Sequence, residues 1–168
     1  MNAWRDRIVR AAKLDANLYE EVEADRTAMT QAMGVVLLAS AAAGLGSGSF
    51  SLGRIVMGSL AALVSWGFWG VITYVVGAKL LPEPQTRADV GELLRTIGFA
   101  SAPGIIRIAG IIPPLRSIVF FAAAIWMFAA MVVAVRQALD YRSTLRAFGV
   151  CLLGGLVHGL LLQLFLGR

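Results

Sequence analysis

Long apolar runs, divided by short charged pieces, fill most of the chain. They occupy residues 28–46, 55–81, 91–112, 115–135 and 147–166. A run of about 20 residues crosses a hydrocarbon core of about 30 Å, at about 1.5 Å per helical residue. Of the 168 residues, 58% are hydrophobic and only 15% charged, and the mean hydropathy is +0.76. Soluble domains run about 45–50% apolar and about 25% charged. A soluble core of this size could not hide several such runs at once. The chain therefore reads as all-α: a polytopic transmembrane helical bundle of five spans (residues 28–168) led by a short N-terminal helical arm (residues 1–27).

The third run is irregular. The stretch 93–115, LLRTIGFASAPGIIRIAGIIPPL, carries Pro103 and Gly104 in its middle, Arg107 in its far half and the pair Pro113 and Pro114 at its end. A proline removes one backbone hydrogen bond, and in a bilayer neighbouring helices must satisfy the freed carbonyl. The break at Pro103 and Gly104 is therefore expected inside the bundle, against Ala- and Gly-rich surfaces.

Charge tests whether this run crosses. With five spans and a cytoplasmic N-terminus, the cytoplasmic pieces hold eleven of the 15 Lys and Arg: Arg5, Arg7, Arg10, Lys13, Arg26, Lys79, Arg87, Arg95, Arg136, Arg142 and Arg146. The opposite side holds the other four, Arg54, Arg107, Arg116 and Arg168. That asymmetry obeys the positive-inside rule. Removing the third span would put the loop 136–146 on the wrong side.

Between the runs the chain is short and polar. In the arm, Trp4, Ile8, Ala11, Leu18 and Val22 recur at helical spacing among basic residues. Both an interfacial amphipathic helix and a solvated helical lead-in fit this pattern. No apolar segment precedes the charges, so targeting is expected from the first span. Asp25 or Thr27 is a candidate cap for that span, and Ser143 or Thr144 for the last. Thr86 followed by Asp89 resembles a capping box and predicts a helix start near Arg87. The segment SGSFSLG, 47–53, reads as a turn.

Few residues invite chemistry. The net charge of +5 is spread over short loops, which suits anchoring of one membrane face rather than nucleic-acid binding. Cys151 is the one cysteine and makes neither an internal disulfide nor a metal site alone. The acidic run Glu20, Glu21, Glu23 and Asp25 lacks the spacing and glycine of a calcium loop, and reads as solvated charge. Arg107 is expected to snorkel to the far interface, where Arg54 and Arg116 join it as candidate lipid or anion contacts. His158, the single histidine, is a candidate intramembrane polar site, more simply a packed, hydrogen-bonded side chain. No catalytic, cofactor-binding or metal residues are assigned.

Three stretches in order, LYEEVEADRTAMTQAMGVVLL from Leu18, LLRTIGFASAPGII from Leu93 and WMFAAMVVAVRQALDYRSTLRAFGVCLL from Trp126, resemble the bacterial branch of the Yip (Ypt-interacting protein) family of five-span membrane proteins. Eukaryotic relatives are linked to vesicle traffic and bind lipid-modified Rab-type GTPases. The resemblance implies the fold and a non-enzymatic role, and the Rab partner is not carried over.

The expected function is that of a non-enzymatic integral membrane protein: a membrane-organising factor, an adaptor or an accessory subunit of a larger complex. The alternative is a small permease or channel with a site at the broken third span. Expected partners are the lipid bilayer and other membrane subunits or a second copy, with no nucleic acid. No cofactor is expected beyond bound lipid. The expected location is the cell inner membrane, multi-pass, with the C-terminus opposite the cytoplasmic N-terminus.

Overall fold

A computed structural model describes residues 3–166, and every regular element among them is helical. Arg168, counted above with the opposite face, lies outside the described residues. Helices α1 (Ala3–Ala12) and α2 (Ala16–Ala24) form an N-terminal hairpin. The long helices α3 (Ala28–Gly46), α4 (Leu52–Thr73), α6 (Arg116–Ala138) and α7 (Thr144–Leu166) follow, with the short α5 (Val90–Phe99) between α4 and α6. Among the described residues, four helical stretches are long and apolar enough to cross a membrane: Ala28–Gly46, Leu52–Leu80, Pro113–Ala138 and Thr144–Leu161.

The expected third span, 91–112, is not one helix. It consists of α5 and a 3₁₀ segment, Ala102–Ile111, followed by a short 3₁₀ turn, Pro113–Leu115. Pro103 cannot donate to the carbonyl four residues back. From that point the backbone tightens: Ser101 N–H donates to Gly98 O at 3.2 Å and Gly104 N–H to Ser101 O at 2.9 Å. The 3₁₀ pattern supplies the satisfaction that a bare kink would lack. The start also differs from expectation. The capping box lies three residues on, with Asp89 accepting from the Glu92 N–H and Glu92 accepting from the Asp89 N–H, both at 2.8 Å. Thr86 donates instead to Leu139 O at 2.9 Å, tying this loop to the end of α6.

The second span has its own irregularity, since Tyr74–Leu80 is a π-helix. The hydroxyl of Tyr141, in the α6–α7 loop, lies 2.8 Å from Gly77 O and 2.7 Å from Leu81 O at its end. Gly48, at φ 84°, makes the α3–α4 turn possible, and Ser47 closes it by donating to Gly44 O at 2.7 Å. At the start of α7, Ser143 caps by accepting from the Arg146 N–H.

The hairpin is neither free nor a separate unit. Leu18, Tyr19 and Val22 of α2 are fully buried in one cluster with Ala28, Ala32 and Val35 of α3, Phe99 of α5, Ala102, and Ala130 and Ala134 of α6. Full burial of a large apolar side chain stabilises by about 1.5–3 kcal/mol, so this docking outweighs either an interfacial or a solvated state. The stripe Trp4, Ile8, Ala11, Leu18 and Val22 faces protein, and the Trp4 ring covers Gly34 of α3.

Candidate functional site

The hairpin is also clamped by charge. Arg7 bridges Glu21 at 2.8 Å and Asp25 at 2.9 Å, and Arg10 bridges Asp15 at 2.8 Å and Glu21 at 2.6 Å. Two members of the acidic run, Glu21 and Asp25, are therefore partners of the arm's arginines, while Glu20 and Glu21 stay exposed. Hydrogen bonds from Arg10 and then Arg7 hold the Glu21 carboxyl below its ordinary range. Gln137 of α6 donates to Glu20 at 2.7 Å. Glu23 behaves oppositely. Burial, reinforced by the carboxylates of Asp140, Glu92 and Glu20 against the opposing pull of Arg95, pushes it up to about 7.

Arg95, counted above among the cytoplasmic cations, is buried. Its Nε donates to Val22 O at 3.0 Å and to Glu23 O at 3.1 Å, and its Nη2 also donates to Glu23 O. A guanidinium on the last carbonyls of α2 satisfies acceptors that the helix leaves open and complements its negative end.

Ala102, Pro103 and Gly104 are all buried. Gly104 packs between Ala39 of α3 and Met127 of α6, where a Cβ would lie 2.8 Å from the Met127 sulfur. Six residues earlier, Gly98 meets Ala32 so closely that a Cβ would lie 2.7 Å from its methyl carbon. Small residues on both sides let α3 and the broken segment touch almost backbone to backbone.

Arg107 does not snorkel outward. Its backbone sits at the Gly46 end of α3, yet its side chain runs back into the bundle. Nη2 reaches the Met127 sulfur at 2.8 Å, and the guanidinium carbon lies 5.9 Å from the centre of the Phe120 ring. Its buried Nε has no hydrogen-bond partner among the described residues. Arg107 lines a cavity of about 180 Å³ with Ser40, Ser65, Trp66, Ser101 and Met127. The three cations expected to act together thus take different directions. Arg54 is exposed at the start of α4, and Arg116 donates to Gly110 O at 3.2 Å.

His158 on α7 pairs with Ser65 of α4, Nε2 to Oγ at 3.0 Å, and its ring meets Trp69 edge-on at 5.4 Å. Gly155 faces Trp69, whereas Gly159 has open space around it. Sequence reasoning did not find Ser65, Ser101 or Met127 as neighbours of the two unusual polar side chains. Only α4 and α6 packing across the broken segment assembles them.

Comparison with curated proteins and with solved structures gives no match. The family model described as the Yip1 domain matches residues 21–165, which takes in the end of α2 and all four long helices but for the last residue of α7. This chain of apolar helices is a multi-pass integral membrane protein, and it belongs to the Yip1 domain family.

Proposed function

We propose that this protein is a non-catalytic organising factor or accessory subunit of a larger assembly in the cell inner membrane. The observation that carries the reading is the outer face of α4. Met57, Leu60, Val64, Phe68 and Val71 recur at helical spacing, Val75 of the following π-helix continues the face, and all are exposed. Such a face suits a second membrane helix, from another subunit or a copy of this chain, with bound lipid filling the remainder. No cofactor enters this reading.

The chain crosses five times in this proposal, with the N-terminal hairpin in the cytoplasm and the C-terminus opposite. The ten residues of α5 and the ten of the 3₁₀ segment extend about 15 Å and about 20 Å, enough together for a core of about 30 Å. The basic-residue asymmetry supports the same orientation.

The test is a photo-crosslinking amino acid at Leu60 or Phe68, activated in native membranes, followed by purification in mild detergent. A discrete protein adduct is expected at both sites and none at the buried Ala32. Lipid adducts alone with a monomeric mass, or solute transport by the purified protein in liposomes, would overturn the reading.

A further inference from the structure

The ten acidic residues lie at positions 6–25, 83–92 and 140, and of these only Glu92, at the very start of the third run, falls within an apolar run. Arg107 nevertheless sends its guanidinium inward to Met127, 11 residues along α6 from Arg116. That is about 16 Å from the helix start at about 1.5 Å per residue, near mid-depth of a span. A guanidinium offers five N–H donors. Here one meets a thioether sulfur, a weak acceptor, and the buried Nε meets no acceptor among the described residues. Burying a cation is costly unless it is paired and hydrogen-bonded. The fold provides the cation and the space but no counter-charge.

The space is polar where it needs to be. Ser40, Ser65 and Ser101 line it with Arg107, and all four are only partly buried, so the cavity is reachable. Ser40 contacts the Ser59 hydroxyl at 2.8 Å. A serine can donate one hydrogen bond and accept two. If His158 donates from Nε2 to Ser65, the Ser65 proton is free to point into the cavity, which makes His158 a positioning residue. At about 180 Å³ the space holds a small group with a few waters of about 30 Å³ each, and is smaller than the roughly 300–1,000 Å³ of drug-sized sites. The guanidinium fork matches carboxylate and phosphate oxygens in paired geometry.

We propose that this cavity is an intramembrane binding site for one oxyanion, a carboxylate or phosphate group, held by Arg107 and the Ser65 and Ser101 hydroxyls. The site does not depend on the accessory-subunit reading. Its ligand can come from solution or from the headgroup of an anionic lipid, and the experiment separates the two.

The full chain is purified into phosphatidylcholine nanodiscs and titrated calorimetrically with inorganic phosphate and with acetate at constant ionic strength. A parallel set of nanodiscs contains phosphatidylglycerol, with bound lipid counted by native mass spectrometry after transfer to detergent. Saturable binding of one equivalent is expected in the wild type. It should be lost in Arg107→Gln, weakened roughly tenfold in the Ser65→Ala/Ser101→Ala double variant, and unchanged in Arg54→Gln, which removes an exposed cation that does not line the cavity. Binding of phosphate or acetate assigns the source to solution, and retention of phosphatidylglycerol alone assigns it to lipid. No saturable binding of either, or binding that survives Arg107→Gln, overturns the proposal. Should Arg107→Gln fail to fold, undiminished binding in the serine double variant overturns it equally.

Discussion

Gly46 and Arg107 meet backbone to backbone: a Cβ on Gly46 would overlap the carbonyl oxygen of Arg107. This contact pins the far end of α3 to the 3₁₀ segment and sets where the Arg107 side chain begins. No flexible side chain is available to give way. Gly46→Ala is therefore expected to destabilise by about 3 kcal/mol or more, at the upper end for overpacking. Gly58→Ala, on α4 with open space around it, should stabilise by about 0.5–1 kcal/mol through helix propensity. Thermal unfolding of both variants in one detergent checks the contrast.

The hairpin should depend on Arg95. Replacing it with Leu strands the Val22 and Glu23 carbonyls that it now satisfies. Leaving buried acceptors unpaired costs about 1–3 kcal/mol, and the loss should fall on α2. Hydrogen exchange in α1 and α2 is expected to accelerate by about tenfold or more while α6 is little changed. Arg95→Lys, which keeps the charge but not the fork, should restore only part of the protection.

Acid and base should act on the hairpin in opposite senses. Glu23 is raised from 4.5 to about 7, so the folded state holds a proton that the unfolded chain releases. Its contribution is full below about pH 4.5 and is lost as pH rises through 7. Glu21 is held below its ordinary value by Arg10 and Arg7, so its contribution is full above that value and is lost on acidification. Glu23→Gln should flatten the decline between pH 4.5 and 7 and leave the acid limb in place. Denaturant unfolding at stepped pH reads both limbs, and an unchanged neutral limb would rule out Glu23 as its source.

Tyr141 anchors the π-helical end of the second long helix through its hydroxyl. Tyr141→Phe keeps the ring and removes the donor, which should cost about 1–2 kcal/mol. The effect should appear as faster exchange at residues 77–81, with α3 unaffected.

The apolar runs, a turn after Gly46 (though α4 already begins at Leu52, inside the expected 47–53) and the apolar stripe of the arm were all written in the order of residues. Burial in a bilayer or a core demands periodicity, and periodicity is local. Charge asymmetry likewise yields the expected orientation without any tertiary information, and Pro103 announced a break by chemistry alone. The tertiary structure decided the rest. Only packing shows that the acidic run clamps the arm's arginines, since Arg7 and Glu21 meet across a hairpin. Only packing turns Arg107 inward: its backbone is held at Gly46 while Met127 and the serines of α3 and α4 surround the space beneath it. A side chain's depth and partners depend on helices distant in sequence, and no spacing rule encodes which of them will close around it.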